Sequence, residues 1–128
     1  MTTKTPLTAP NAPKPAGPYS HGVIAGGLLF TAGFGPQVPE TGEVPEGIAA
    51  QTTQVLRNVG AVLEAAGASW ADVVKVTAHL QHLKRDFAGF NEAYGAIVPT
   101  PHPVRTTVGS DLADILVEID VVAALPSA

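Results

Sequence analysis

The order of the hydrophobic patterns constrains the fold of this chain more than any other feature. Between residues 48 and 66 apolar side chains recur every three or four positions, which predicts one face of a helix, and Gly67 is placed to end it. Soon afterwards apolar and polar residues alternate over residues 74–80, as they do in a strand with one buried face. This change of period within a short stretch is typical of domains that mix helices with a sheet.

Further strands are predicted on both sides of this pair. Residues 22–33 carry two short apolar runs around Gly26-Gly27, which is turn chemistry for a tight hairpin. Alternation also predicts two strands near the end of the chain, at about residues 104–109 and 115–123. The Ser69–Asp72 segment has the form of a capping box for a single helical turn.

A second helix is predicted between these strands. Asp86 can cap its N-terminus, Phe87, Phe90 and Tyr94 follow at helical spacing, and Pro99 lies where it must end. The order β-β-α-β-α-β-β therefore predicts an α+β fold, in which both helices pack on one face of a mostly antiparallel sheet.

Length and composition limit the organisation of the chain. The 128 residues correspond to one domain. Residues 1–16 are Pro, Thr and Ala with few large side chains, so we expect a flexible N-terminal tail followed by a single domain over residues 17–125. Only 14% of residues are charged, against about 25% in an ordinary soluble domain. Part of the surface is therefore expected to be buried against partner subunits.

Charge and residue content argue against several classes of function. The net charge is -4 and the seven Lys and Arg residues are scattered, so nucleic acid is not an expected partner. The chain has no cysteine, which excludes disulfides, thiolate metal sites and cysteine nucleophiles. No apolar run approaches the roughly 18 residues of a membrane span, and the N-terminal residues resemble neither a signal peptide nor a transit helix. No membrane partner and a cytoplasmic location are expected.

Polar residues alternate with apolar ones in the last two predicted strands. Arg105 and Thr107 lie on one face of the first of these strands, and Glu118 and Asp120 lie on one face of the second. If the apolar rows pack against the helices, all four polar residues share the opposite, helix-free face.

Arg105 is the strongest candidate for a functional residue. It lies in a strand too apolar for free exposure, and its guanidinium group cannot lose its proton, so it needs an anionic partner. Such a planar group can bind a substrate carboxylate through two parallel hydrogen bonds. An internal ion pair with Glu118 or Asp120 is an equally good interpretation of the pattern. Those two carboxylates could share a site or simply face solvent.

Other candidates are weaker. Ser20 and His21 suggest a catalytic triad, but neighbours on an extended segment point to opposite sides and cannot act as nucleophile and base. His79 and His82 have no third ligand near them in the sequence, so no metal site is expected.

A series of short motifs, found in order along the chain, resembles the Rid family (reactive intermediate deaminases, also called the YjgF family) from about residue 11 to residue 124. These motifs are Gly17-Pro-Tyr-Ser20, Thr31-Ala-Gly33, Thr41-Gly-Glu-Val-Pro45, Gln51 with Asn58, Ala65-Ala-Gly67, Asp72-Val-Val-Lys75, Asp86-Phe87, Asn91 with Tyr94, Pro103-Val-Arg105 and Val117-Glu-Ile119.

The resemblance implies a chorismate-mutase-like fold and a homotrimer whose sheets form a central barrel, with ligand clefts between subunits. It also implies hydrolysis of a carboxylate-bearing enamine or imine, such as 2-aminoacrylate, to a 2-keto acid and ammonia without a cofactor. Arg105 would bind the substrate carboxylate and Glu118 would position the attacking water. Tyr19 would line the cleft as a third catalytic residue, and Asn91 would bind the substrate.

Two short segments depart from the usual motifs of that family. Thr31-Ala-Gly-Phe34 replaces a Thr-Ser-Gly-Gln motif, and Arg105-Thr-Thr107 replaces Arg-Ser-Cys. By the resemblance, Ala32, Gly33, Phe34 and Thr107 are substrate-binding positions. Because Ala32 and Phe34 replace polar side chains, the pocket is expected to be more apolar and to accept larger 2-imino acids.

Two other functions remain open at this point. The same trimer could bind a small ligand or regulate another process without turnover. Some relatives have been described as ribonucleases or translation inhibitors, but the acidic balance of this chain argues against that activity.

Overall fold

The structure is a computed structural model that describes residues 3–126. It contains two helices, a single 3-10 turn over Trp70–Asp72 and six strands. In chain order the strands and helices are β1 (Thr5–Leu7), β2 (Gly22–Ala25), β3 (Leu28–Thr31), α1 (Ile48–Ala65), β4 (Val73–Leu80), α2 (Leu83–Gly95), β5 (Val104–Gly109) and β6 (Val117–Ala124).

The strands form one sheet in the order β1-β2-β3-β6-β4-β5. Only the β4–β5 pair is parallel among these neighbours, and all the others are antiparallel. The buried face of α1 packs on β6, α2 packs on α1 and β4, and their side chains join one hydrophobic core. The predicted α+β fold, with both helices on one face of a mostly antiparallel sheet, is confirmed.

Local signals in the sequence placed the end of α1 correctly. Gly67 has a φ of 76°, its N–H donates to the carbonyl of Glu64, and the N–H of Ala68 donates to that of Leu63. These two bonds satisfy carbonyls that a helix end would otherwise leave unpaired. The predicted capping box is also present, because the side chains of Ser69 and Asp72 each bond to the other's backbone.

The start of α2 differs from the prediction. The helix begins at Leu83 with His82 as its N-cap, and Asp86 is a buried residue of its first turn. Asp86 instead forms two hydrogen bonds with Arg85, at 2.9 and 3.0 Å. A carboxylate is favourable both at the N-cap and in the first turn of a helix. The sequence therefore did not determine which of these two positions Asp86 would occupy.

The N-terminal residues also differ from the predicted tail. Among them, Thr5–Leu7 form β1, which pairs with β2 at the edge of the sheet. Ala9 and Ala12 are buried in the core, with 1% and 6% of their surface exposed. The composition of the segment is too poor in large side chains to order by itself, but an open strand edge supplies backbone hydrogen bonds that composition does not reveal.

None of the helices within residues 3–126 is long and apolar enough to cross a membrane.

Candidate functional site

Arg105 lies on the helix-packed face of the sheet, which is not the face predicted for it. The register pairs Arg105 with Val76, and Val76 in turn with Val121, and cross-strand partners share a face. Val76 and Val121 are fully buried against the helices. Thr107 follows on the same face, beside Ala78. The predicted helix-free location is therefore wrong for Arg105 and Thr107.

The Arg105 guanidinium is held by the side chains of α2. One of its terminal nitrogens, Nη2, donates to Asn91 Oδ1 at 2.7 Å. Its central carbon lies 4.8 Å from the ring centre of Tyr94, 5.1 Å from that of Phe90 and 5.9 Å from that of Phe87. The electron-rich faces of aromatic rings attract a guanidinium group, so these rings stabilise its charge while leaving its remaining N–H groups for another acceptor.

A small open cleft of about 350 Å³ lies at this guanidinium. We call it the Arg105 cleft; its walls are formed by Asn91, Tyr94, Gly95, His102, Pro103 and Arg105. The Tyr94 hydroxyl is buried without a hydrogen-bond partner in the described part of the chain. Burial raises the pKa of Tyr94, and the nearby positive charge of Arg105 opposes that rise. Tyr94 is thus a neutral aromatic surface under the cation.

The internal ion pair considered for Arg105 does not form within one chain. Glu118 pairs with His79 in the register and lies on the helix-free face, as predicted, so the sheet separates it from Arg105. Asp120 lies on that same face, where its Oδ2 is 4.0 Å from His79 Nε2. Across residues 3–126, neither ion pair of the structure includes Arg105.

Glu118 borders a second and larger cleft, of about 750 Å³. We call it the Glu118 cleft. Its walls come from the N-terminal segment, the loop after β3 and the loop before β6, and include Lys14, Tyr19, Gly33, Leu112 and Glu118. No protein group within residues 3–126 forms a hydrogen bond with the Glu118 carboxylate, so both oxygens can bind a ligand or a water molecule.

Gly33 and Glu118 are in unusually close contact. A Cβ atom added at Gly33 would lie 3.0 Å from the Glu118 carboxyl carbon and 3.1 Å from Oε1. Such distances are shorter than ordinary van der Waals contacts, so a side chain at Gly33 would push the carboxylate aside. The absence of a side chain at this position sets where the carboxylate lies in the cleft.

We therefore expect Gly33→Ala to impair the Glu118 site without unfolding the protein. The methyl group should displace the carboxylate by a few tenths of an ångström, and misplacing a reacting group can lower catalytic efficiency by about tenfold to a hundredfold. Steady-state kinetics and thermal melting on the same samples would measure both effects. In a Glu118→Gln background the same substitution should change little, because the group it displaces has already lost its function. Equal losses in both backgrounds would contradict this account.

The position of the Tyr19 hydroxyl is fixed by the backbone. Its oxygen accepts a hydrogen bond from the Ala16 N–H at 2.9 Å. Because that bond uses only a lone pair, the hydroxyl proton remains available to a ligand in the Glu118 cleft. The ring is 48% exposed, so a ligand can reach it.

Polar residues of α1 hold the loops around the Glu118 cleft. The buried side chain of Asn58 donates to the carbonyls of Gly35 and Gln37, both at 2.9 Å. Gln51 donates to the Pro45 carbonyl and accepts from the Leu116 N–H. These bonds connect the loop after β3 and the start of β6 to the helix.

The remaining predicted substrate-binding positions occupy different places. Phe34 contributes to the wall of the Glu118 cleft but is 5% exposed, and its ring packs against His21 with 5.6 Å between centroids. Ala32 packs against the core, and Thr107 is half-buried two residues beyond Arg105; neither lines one of the two clefts. Within one chain, Phe34 and Arg105 therefore line different clefts, and Ala32 lines neither.

The histidines considered as metal ligands have other contacts. His79 Nδ1 is 2.7 Å from the Ser110 hydroxyl, and His82 is the N-cap residue of α2. Burial raises the pKa of Asp120, while the positive charges of His79 and Lys75 oppose that rise. Over residues 3–126 no group of three or more histidine, aspartate or glutamate side chains is arranged to hold a metal ion.

The candidate residues thus fall into two groups on opposite sides of the sheet. Arg105 and Asn91 form one, and Tyr19, Gly33 and Glu118 form the other. No residue lines both clefts. A small ligand in one subunit cannot contact both groups.

The sequence interpretation missed the aromatic support beneath Arg105. Phe87, Phe90 and Tyr94 were recognised only as the apolar face of a helix. Their helical spacing indicates that they share one face of α2. Only the pairing of β5 with β4 shows that this face contacts the Arg105 guanidinium.

Comparison with known proteins provides the family context. The family model described as Endoribonuclease L-PSP matches residues 9–125. A RutC family protein of Pyrococcus horikoshii is 47% identical over 116 residues, which cover 88% of this chain and 91% of that protein. The 2-iminobutanoate/2-iminopropanoate deaminase of Escherichia coli K12 is 41% identical over 125 residues, covering 91% of this chain and 94% of the other.

Solved structures share the same architecture. The crystal structure of E. coli TdcF with bound serine superposes with a TM-score of 0.87 at 34% identity. The match covers 95% of this chain and 99% of that one. The similarity therefore extends over the whole domain, including both clefts.

Proposed function

Since this chain belongs to the Rid (YjgF, L-PSP) family, we propose that it hydrolyses 2-imino acids, or the enamines from which they form, to 2-keto acids and ammonia. Relatives named as reactive intermediate or 2-iminobutanoate/2-iminopropanoate deaminases support this activity. The observation that carries the proposal is the state of Arg105. Its guanidinium is oriented by Asn91 and three rings and has no carboxylate partner among the described residues.

In this proposal Arg105 binds the substrate carboxylate. A planar guanidinium can donate two parallel hydrogen bonds to a carboxylate, which fixes the substrate in direction as well as position. The solved relative with bound serine supports a ligand of this kind, because serine carries the same α-carboxylate.

Glu118 acts on water in the proposed reaction. Its carboxylate accepts a proton from a water molecule as the water oxygen attacks the electrophilic imine carbon, and the C=N electron pair moves to nitrogen. That proton then passes to the nitrogen, which gives a carbinolamine with an OH and an NH2 group on the same carbon. Glu118 next takes the proton of this hydroxyl group and passes it to the nitrogen, so that the C–N bond breaks, ammonia leaves and the C=O bond of the keto acid forms. The imine carbon is already electrophilic, so an anchor, a positioned water and a proton relay are enough for this step.

The two groups of residues require a second subunit. Because the sheet separates Arg105 from Glu118 within one chain, the proposal joins the Arg105 cleft of one subunit to the Glu118 cleft of its neighbour. A row of residues across the helix-free face supports such an assembly: Phe30, Val122, Lys75 and Val104 are neighbours in the register. Phe30 is 44% exposed and Val104 is 67% exposed, and apolar side chains so placed favour burial between subunits.

We expect a homotrimer in solution, which is the assembly implied by the family. Multi-angle light scattering at micromolar concentration should give three times the chain mass. Val104→Glu should shift the mass toward the monomer and abolish activity, since a charge would be buried in the interface. The same change at Val44, an exposed residue of the loop before α1, is the matched control and should leave the mass unchanged. A wild-type monomer mass would contradict the shared site.

The direct test of function is release of a keto acid from an imine generated in the assay by an amino-acid-consuming enzyme. Faster appearance of keto acid than in the uncatalysed control, lost in Arg105→Ala, would support the deaminase.

Imines with larger apolar side chains should be preferred over the small 2-aminoacrylate, because Phe34 and Leu112 line the Glu118 cleft. Binding of a keto acid without turnover of any imine would favour a ligand-binding or regulatory trimer. Cleavage of RNA lost in the same variant would favour a ribonuclease.

A further inference from the structure

The N-terminal segment forms one wall of the Glu118 cleft. Pro13, Lys14, Ala16 and Tyr19 face the cleft from this side. The position of the Tyr19 hydroxyl, whose proton is free for a ligand in this cleft, therefore depends on how the segment is attached to the rest of the domain.

Much of that attachment is made by one buried side chain. His21 is 4% exposed, and its two ring nitrogens bond to the segment on either side of a turn. Nδ1 accepts a hydrogen bond from the Ala9 N–H at 2.9 Å, and Nε2 lies 2.7 Å from the Pro13 carbonyl oxygen. The remaining support comes from β1 and from the buried Ala9 and Ala12 side chains.

These two bonds require one protonation state of His21. A backbone N–H can only donate, so Nδ1 must be without a proton. A carbonyl oxygen can only accept, so Nε2 must carry the proton. Both conditions are met by the neutral imidazole with its proton on Nε2 and by no other form.

We propose that His21 is a positioning residue for the deaminase site, which holds the Tyr19 wall in place through one acceptor and one donor of its ring. The proposal rests on the proposed function for its effect on catalysis, but attachment of the segment can be measured separately. A side chain that lacks this acceptor and this donor would leave the Ala9 N–H and the Pro13 carbonyl oxygen without their partners, and would loosen the wall.

Glutamine at this position separates the two hydrogen bonds from the imidazole ring that makes them. Its amide offers one acceptor and one donor, as the neutral imidazole does. His21→Gln should keep the wall attached. His21→Leu should lose both hydrogen bonds and serves as the detached reference.

Hydrogen exchange of the Ala9 amide measures the attachment directly in the full-length protein. Protection, corrected for the intrinsic exchange rate, would be compared among the wild type and the two variants under the same conditions. In His21→Leu it should be about tenfold lower than in the wild type, the factor that an ordinary hydrogen bond contributes. In His21→Gln it should stay close to the wild-type value.

Deaminase activity of the same samples completes the test. The value of kcat/KM should fall in His21→Leu and should be largely retained in His21→Gln, whereas a loss of folding alone would appear as a lower melting temperature. Wild-type protection and activity in a folded His21→Leu, or low protection and activity in a folded His21→Gln, would overturn the proposal. If the protection pattern appears but no variant releases a keto acid, His21 attaches the segment as described and the deaminase proposal fails instead.

Discussion

Replacing Arg105 with lysine is expected to lower the catalytic efficiency of imine hydrolysis by about 30-fold to over 100-fold, while the assembly remains intact. Lysine keeps the positive charge but offers a point donor, so the two parallel bonds to the carboxylate cannot form. A charge-assisted bidentate contact contributes about 2 to 3 kcal/mol, which corresponds to that loss in rate. Lysine also lacks the planar cation that lies 4.8 Å from the Tyr94 ring centre. Arg105→Ala should cost more, because the charge is lost as well.

The controls for this prediction separate substrate binding from stability. Arg57 is an exposed residue of α1, and Arg57→Lys should leave both activity and melting temperature unchanged. If Arg105 served only to stabilise α2 against β5, both Arg105 variants would melt at lower temperature, and residual activity would follow the folded fraction. Wild-type efficiency in a fully folded Arg105→Lys trimer would rule out the carboxylate anchor.

Glu118→Gln is expected to lower kcat by about a hundredfold to ten-thousandfold, the usual contribution of a general base. Glutamine has the same shape, so its contact with Gly33 should persist, but its amide cannot accept the proton of the attacking water. Affinity for a keto acid product should remain close to that of the wild type, because Arg105 is unchanged. Isothermal titration and steady-state kinetics on the same variant would measure the two quantities.

Asp120→Asn is the matched control for Glu118→Gln. Asp120 lies two residues along on the same face of β6, but its carboxylate is beside His79 and does not line the Glu118 cleft. The same chemical change there should leave kcat within a few fold of the wild-type value. Equal losses in the two variants would mean that negative charge on this face, and not a base at Glu118, supports the reaction.

Several parts of the fold were predictable from the sequence because their causes are local. The glycine after α1, the capping box at Ser69 and the glycine pair between β2 and β3 each act within a few residues. Alternation in β6 also identified the correct faces, because its apolar row is long and uninterrupted from Val117 to Val121. The motif series identified the family from the chain alone.

Other features depended on contacts between distant parts of the chain. The N-terminal residues became a strand and a cleft wall because β2 has an open edge and His21 bonds to Ala9 and Pro13. Composition describes a segment by itself and contains no information about such partners.

The orientation of β5 shows most clearly what the sequence alone could not determine. Alternation separates Arg105 from Val104, but it does not say which of the two turns toward the helices, and hydrophobicity suggested Val104. In the structure Val104 is 67% exposed, whereas Arg105 points toward α2. The sequence by itself determined the family, the two helices, the strands other than β1 and the two alternating rows. Only the tertiary structure decided which row faces inward, because that choice is set by the register of β5 on β4 and by the aromatic rings of α2 that stabilise a cation there.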